Sequence, residues 1–556
     1  MKVFRRGDQA SERSAQSICD NRIFVRLRGW VRVLKNNTVL RPTLCLLGSW
    51  CSPVAGFLVN AVAQVPTPQT PPPEVQVVLP VDQEADQLGT PIRLLTLNDA
   101  LRLGRANNLE LRAAELLPQQ AQMDLVYAEA AFNSEFYGNL GYGVTESPLR
   151  NTFQPSLQRS AADAALGWRQ RVTTGGMFDL AFRPARFTTE SSSNAFPDQQ
   201  HTAEWSVSYM QPLLRGAWSD YNLADINTAK YDLRRSEQNF AQSVQDTLLL
   251  IVEAYWDLVY ARENYRVVSE ALVVAKEQLR ITVERIRVRE LAPRDRIADE
   301  AEVARREEER IAAENEIRRS EDNLRRLLFD DQRGGLWTWN LRPTEPIEVA
   351  PLSEPIAYVP LVEKAMDNRP DIAALRSSVA EAELLQLKAE RDTLPQFDLV
   401  SSYSADGVRD QFSDAFSDSV DQQYPDWGLR LQFSIPVGNQ AARSRQQRSL
   451  IEVERRQRLL YAEIMSVTKQ VRAAVRNLTS YAQSILASDV SVRLAESNLE
   501  TEQVKLRVGS STAFEVQRRN QDLRTARSRH LRNQLDYRIA ESRLLHAQGL
   551  LHAPQN

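Results

Sequence analysis

Cysteine is nearly absent. The chain has three, Cys19, Cys45 and Cys51, all in its first 63 residues, and their spacings match no zinc or redox motif. Removal of that segment would leave no thiol, as suits an envelope compartment. Histidine is scarce too: His201, His530, His546 and His552 are scattered singly. An excess of charge of either sign is missing, with 69 Lys and Arg against 72 Asp and Glu. That balance argues against a nucleic-acid partner, and pairs such as Arg305-Arg306 and Arg318-Arg319 alternate with Glu, as on solvated helix faces. There is no Gly-x-Ser-x-Gly, no His-Glu-x-x-His and no phosphate loop. Asp330-Asp331 and Glu307-Glu308-Glu309 read as helix-end and surface charges, not metal ligands. The expectation is a protein without enzymatic activity, cofactor or metal.

What the chain does have is helical periodicity at great length. Ile464, Val467, Val471, Ala474, Leu478, Tyr481, Ile485, Ser488, Val492, Ala495, Leu499, Glu502 and Leu506 recur at steps of three and four, and eleven of these thirteen are apolar. This is the heptad seam of a helix packed lengthwise on other helices. A start near Asn439 makes the helix roughly 100 Å long at 1.5 Å per residue. Leu248 to Ile286 keeps almost the same spacing. Each run ends at a short break, Arg289 to Pro293 or Gly509 to Thr512, and a second helical segment follows, about 295–328 or 515–548. Two long helical hairpins result. Taken alone, such seams also fit a cytosolic or periplasmic coiled-coil scaffold without channel activity.

The rest of the chain argues otherwise. Residues 1–41 carry ten Lys and Arg against three acids, then comes a short apolar stretch closing on Ala61-Val62-Ala63. This reads as a signal peptide over 1–63 with a long basic n-region. Residues 64–91 form a Pro-rich linker. Helices are expected over 92–135, opening on Leu97 and broken at Asn107-Asn108. Segments of period two follow in 136–212, near 136–144, 165–173, 177–183 and 203–211, separated by long loops at 145–163 and 183–202. The first hairpin spans 213–335 and a connecting segment 336–359. Then the plan repeats: helices over 360–395, strands over 396–438, a hairpin over 439–550 and a tail at 551–556. Ala106 to Ala114 parallels Asp367 to Leu375 at an offset of 261, which also carries Phe136 to Phe397 and Tyr142 to Tyr403. This internal duplication is the strongest organisational signal.

Strands with one apolar and one polar face would need a covering layer in water. In a membrane they can close into a barrel, with lipid outside and water inside. Trp205, Val207, Tyr209, Trp427, Leu429, Leu431 and Phe433 are expected to face lipid, and Ser208, Arg430 and Gln432 the lumen. Trp168, Trp205, Tyr209, Tyr403 and Trp427 could supply interfacial aromatics. One chain has too few strands to close a barrel, so several copies are needed.

Five stretches occur in order: Leu97-Asn-Asp-Ala-Leu101, Ala106-Asn-Asn-Leu-Glu-Leu111, Tyr209-Met-Gln-Pro-Leu-Leu-Arg-Gly216, Leu394-Pro-Gln-Phe397 and the tip Arg507 to Val516. By them the chain resembles the TolC-like outer-membrane efflux proteins over about residues 92–550. The resemblance implies a mixed fold of membrane β and long helices. Internally duplicated helical hairpins would form a periplasmic α-barrel, and a few strands per copy would join a shared trimeric outer-membrane β-barrel. It also implies a function: a duct of a tripartite efflux or type I secretion system in the cell outer membrane. The partners would be two further copies, a periplasmic adaptor, an inner-membrane transporter and outer-membrane lipid. Arg289, Leu291, Pro293, Gly509 and Ser510 would dock the adaptor. Glu515, Asp295 and Arg518 would lie at the pore constriction, with an intrahelical pair from Glu515 to Arg518 or Arg519 as the alternative arrangement. Three features depart from the family pattern. Arg289 stands where the family often has Gly, Arg518 does not match the acidic residue at its place in the best-known member, and Leu506 and Ser511 stand where a Tyr and an Arg help lock that member closed. The family's usual two strands per repeat make twelve in a trimer. Four candidate strands in the first repeat suggest a larger barrel here, with the hairpin at Gly175-Gly176 in its wall.

Overall fold

The computed structural model describes residues 81–85, 91–147, 157–191, 199–329, 340–347, 349 and 356–552. The expected signal peptide, all three cysteines, Asp330-Asp331 and the tail beyond residue 552 lie outside these residues.

A small sheet joins β1 (Val81–Ala85), β2 (Pro91–Leu95) and β7 (Asn340–Pro343), with β1 antiparallel and β7 parallel to β2. Strand β1 corrects the expectation of an unstructured linker as far as residue 91. Two helices follow, α1 (Leu97–Asn107) and α2 (Leu109–Glu129), and one turn of 3-10 helix at Ala130–Phe132. Thr96 starts α1 as its cap by accepting from the Asp99 amide, and Asn108 starts α2 by accepting from the Leu111 amide. Asn107-Asn108 is therefore the break expected from the sequence.

The next strands are β3 (Glu135–Ser147), β4 (Leu157–Arg171), β5 (Met177–Ser191) and β6 (Gln199–Pro212). They run further into 145–163 and 183–202 than the Ser- and Thr-rich composition suggested, because each extension pairs with a neighbouring strand. A short turn of helix, α3 (Ser219–Asn222), leads into the first long hairpin, α4 (Ala224–Arg287) and α5 (Pro293–Leu328). The second repeat holds α6 (Val359–Asn368), α7 (Pro370–Arg391), β8 (Gln396–Arg409), α8 (Phe412–Val420) and β9 (Tyr424–Ser434), then α9 (Gln440–Arg507) and α10 (Ala513–Ala547). At 1.5 Å per residue, the 68 residues of α9 span roughly 100 Å.

The cores belong to the seams. Leu248, Val252, Tyr255 and Val259 of α4 pack with Leu324 and Leu328 of α5, Leu101 of α1 and Leu95 of β2. Val467, Val471, Leu478 and Ile485 of α9 pack with Tyr537 and Ala540 of α10 and Ile372 of α7. In the α9 seam Val467, Val471, Ala474, Leu478, Ile485 and Ser488 are buried, whereas Val492, Ala495, Leu499 and Leu506 are only half-buried. It opens towards the tip.

The duplication reaches single hydrogen bonds. Asn108 and Arg369, 261 residues apart, are both buried and both begin the second helix of their pair. The Asn108 amide donates to the Leu327 carbonyl (3.0 Å) in the last turn of α5, and the Arg369 guanidinium donates to the Ala547 carbonyl (3.3 Å) in the last turn of α10. Each satisfies a carbonyl that a helix end leaves without an intrahelical partner.

Candidate functional site: a one-sided apolar sheet and the helical tips

Strands β3 to β9, apart from β7, form one antiparallel sheet in the order β3-β4-β5-β6-β8-β9. Residues directly opposed across such a sheet point to the same side. One rung runs Phe136, Trp168, Leu180, Val207, Tyr403, Trp427. Its neighbours on the same face include Phe178, Tyr209 and Leu429 on one side, and Leu166, Phe182 and Trp205 on the other. Leu431 and Phe433 continue the face along β9. The register thus brings all seven residues expected to face lipid onto one side. Leu140, Trp427 and Leu429 are 90%, 76% and 67% exposed, with no protein layer over them. The candidate interfacial aromatics fall on three adjacent rungs. Among the described residues no helix is long and apolar enough to cross a membrane.

The opposite face is polar. Its rung Arg169, Asp179, Ser208, Ser402, Gly428 alternates with the apolar ones, and Arg183 pairs with Glu204 at 2.9 Å. Ser208, Arg430 and Gln432 stand on this side. The outer strands β3 and β9 each have one neighbour, so both sheet edges are unpaired within the chain.

Helix α8 was not anticipated. It lies on the apolar face at the strand ends remote from the long helices. Phe416 meets Phe182 edge to face at 5.8 Å, and Arg409 pairs with Asp418 at 2.6 Å. Gly407 permits this approach, because a Cβ there would fall 1.8 Å from the Ala415 carbonyl oxygen. The available signal was Phe412 and Phe416 one turn apart opposite a small residue.

At the other end of the molecule the two hairpin tips share one backbone solution. The Arg289 amide bonds the Ile286 carbonyl (3.0 Å) and the Glu290 amide the Arg285 carbonyl (2.8 Å). Gly509 and Ser510 repeat this pair to Leu506 and Lys505 at 3.1 and 2.9 Å. This is the Schellman closure, which needs a left-handed residue. Gly509 supplies it at φ +78° and Arg289 at φ +65°. Arg289, Pro293, Gly509 and Ser510 are exposed and Leu291 is half-exposed. Thr512 caps α10 by accepting from the Glu515 amide at 3.3 Å. The Ser511 hydroxyl donates to Glu502, which Lys505 also approaches at 3.3 Å. The Ser511 bond is the first of the causes that hold the Glu502 carboxyl below its ordinary value.

Glu515 is half-buried in the first turn of α10, and Arg518 is exposed. Among the described residues neither makes an ion pair. Arg519 turns to Asp522 at 3.2 Å, so the pair from Glu515 to Arg518 or Arg519 does not form. Asp295 lies in the first turn of α5, and its side chain falls outside the described residues. A cluster that sequence reasoning missed lies behind the tips. Buried Arg306 of α5 binds Glu302 and Glu309 (each 2.7 Å) and reaches Gln521 of α10 at 2.8 Å. It joins the two hairpins. Its only signal was an Arg within a run of Arg and Glu, which reads as solvated surface.

A family profile described as outer membrane efflux protein matches residues 361–550, the whole helical and strand plan of the second repeat. The second repeat is thus similar to that family. Outer membrane protein TolC of Vibrio cholerae is 23% identical over 372 residues, 65% of this chain and 79% of that protein. The alkaline protease secretion protein AprF of Pseudomonas aeruginosa is 23% identical over 57% of this chain and 64% of its own length. The fold is shared with the Campylobacter jejuni CmeC outer membrane channel at TM-score 0.61 and 14% identity, over 83% of this chain and 87% of that one. The open state of the Neisseria gonorrhoeae MtrE outer membrane channel is similar at TM-score 0.54 and 15% identity, over 82% of this chain and 89% of that one. The fold is the one that these outer-membrane channels share.

Proposed function

We propose that three copies of the chain form one continuous duct, which takes substrate from an inner-membrane transporter through a periplasmic adaptor and releases it outside. No covalent step is involved. The observation that carries this reading is the pairing of a one-sided apolar sheet, unpaired at both edges, with helical hairpins roughly 100 Å long. Neighbouring copies would pair β9 with β3, and the helices would continue the tube. Trp205, Val207, Tyr209, Trp427, Leu429, Leu431 and Phe433 would meet lipid. Arg289, Leu291, Pro293, Gly509 and Ser510 would meet the adaptor.

The constriction would be a ring of Glu515 near the axis, flanked by Asp295 and Arg518. The lack of an ion pair at Glu515 among the described residues supports this choice. Like charges in a narrow ring attract cations. Planar-bilayer recording of Glu515→Ala is the test: reduced cation selectivity and weaker block by multivalent cations are expected. Unchanged selectivity and block would leave Glu515 an ordinary helix-surface charge. Native mass spectrometry of the detergent-extracted protein tests the copy number.

A further inference from the structure

We propose that the outer-membrane barrel of this duct is an eighteen-strand wall, six strands from each copy. The count rests on the trimer reading above and on the place of the β4–β5 hairpin. Without that hairpin each repeat contributes one strand pair, β3 with β6 and β8 with β9, and a trimer would have twelve strands.

Three observations put the hairpin in the wall. It is paired on both sides, β4 to β3 along all of β3 and β5 to β6 from Met177 to Thr188. Its side chains keep the parity of the sheet, with Leu166, Trp168, Phe178, Leu180 and Phe182 on the apolar face and Arg169 and Asp179 on the polar one. A hairpin folded away into water or into the lumen has no reason to keep an apolar face in register with lipid-facing neighbours.

The third observation is the seat of its turn. Gln211 receives a hydrogen bond from the Thr174 hydroxyl (3.1 Å) and donates to the Thr174 carbonyl (3.0 Å). Arg171 donates to Asn222 at 3.3 Å, and Asn222 donates to the Gly216 carbonyl at 2.7 Å. Gly175, at φ +89°, lies so close that a Cβ would be 2.2 Å from the Gly216 oxygen. The turn is therefore anchored where the sheet passes into the long helices.

Closure also works by direction. With six antiparallel strands per copy, β3 and β9 run oppositely, so β9 of one copy can receive β3 of the next in the same antiparallel mode. At a strand spacing of about 4.8 Å and a tilt of about 40°, eighteen strands give a wall radius of roughly 18 Å, against roughly 12 Å for twelve. Eighteen strands is the size range of barrels that hold an open aqueous channel. With a polar lining, such a mouth passes bulky hydrated solutes without sieving them, and selection by size is left to the helical tip.

The test is a distance between copies. Single cysteines replace Leu431 and Gln432, whose side chains leave opposite faces of β9, in protein lacking the three N-terminal cysteines, and each is spin-labelled. Averaging the two labels cancels their reach. Pulsed dipolar spectroscopy should then give a separation between copies of roughly 31 Å for eighteen strands, against roughly 21 Å for twelve. A second variant, lacking residues 148–199 and joining Ser147 to Gln200 through an Asn-Gly turn so that the faces of β3 and β6 stay in phase, should shorten the distance by about 10 Å. Three copies by native mass spectrometry with a separation near 21 Å in the intact protein overturns the eighteen-strand wall alone. Any other copy number overturns the trimer reading and the strand count with it. If the shortened variant fails to assemble, the distance in the intact chain still decides.

Discussion

Arg289 and Gly509 hold the same left-handed backbone position, one in each tip. A side chain there costs about 1–2 kcal/mol, which glycine avoids. Gly509→Ala should therefore loosen the second tip even though no atom lies within 4 Å of the added Cβ. Arg289→Gly should tighten the first. Hydrogen exchange of the amides of Glu290 and Ser510 reads both, and equal protection in all variants would show that the backbone term is negligible. Deeper in the molecule, the Tyr255 hydroxyl donates to the Leu95 carbonyl (3.1 Å) and accepts from the Glu345 amide (3.2 Å). Burial, the leading cause, pushes this phenol up to about 12. Tyr255→Phe should cost about 1–3 kcal/mol by chemical unfolding, because it strips a partner from buried polar groups. Asp246, which His546 approaches at 2.7 Å, carries the acid-side prediction. Burial raises its carboxyl, but the hydrogen bond and charge of His546 outweigh this and leave it lowered. A lowered carboxyl stabilises the fold above its unfolded value, near about 4, and that contribution is lost as pH falls through the folded value. The stability gap between the protein and Asp246→Asn should thus narrow as pH falls from about 5 through the lowered folded value. A gap that is constant over that range would remove the linkage.

Strand β9 and helix α8 show what an element needs beyond its own pattern. Leu429 stands at the centre of β9, exposed on the apolar face. Leu429→Arg should cost about 2–4 kcal/mol at the bilayer midplane, whereas Gln432→Arg on the polar face should insert almost normally. Equal folding of the two in bilayers would reverse the assignment of faces. Alternation in the sequence was sufficient to pick those faces, because side-chain direction in a strand has period two whatever its partner. Helix α8 has nine residues, too few to form from propensity alone. It exists through its packing on β6 and β8. Gly407→Leu should dislodge it, which would show as protease cleavage between β8 and β9 where the unaltered protein resists.

At the scale of the molecule the two repeats are bound by charge as well as by seams. Glu381 of α7 receives Arg235 of α4 at 2.5 Å and Arg456 of α9 at 2.8 Å. Helices α4 and α10 are joined by Arg543 with Glu253 (2.8 Å) and Arg532 with Asp257 (3.4 Å). Glu381→Ala would leave two guanidinium groups facing each other beside a buried site. Breaking a buried pair costs 3–5 kcal/mol, and since Arg235 reaches solvent the loss should be nearer about 2 kcal/mol. A thermal-unfolding midpoint unchanged by Glu381→Ala would mean that packing alone couples the halves.

The sequence by itself determined the long helices, their seams, the tips, the duplication and the two faces of the strands. All of these are local or periodic, and an unbroken run of three-and-four spacing has few alternatives. Tertiary structure decided what depends on partners far along the chain. Pairing with β2 turns β1 from linker into strand, and pairing with β3 and β6 carries the β4–β5 hairpin into the sheet. Packing on the apolar face makes α8 a helix. The approach of α10 turns Arg306 from an apparent surface charge into a buried link between hairpins. Each outcome turns on a partner that no short window of sequence contains: strand pairing joins residues distant in the chain, and a charge is buried only where an opposing group from another element meets it.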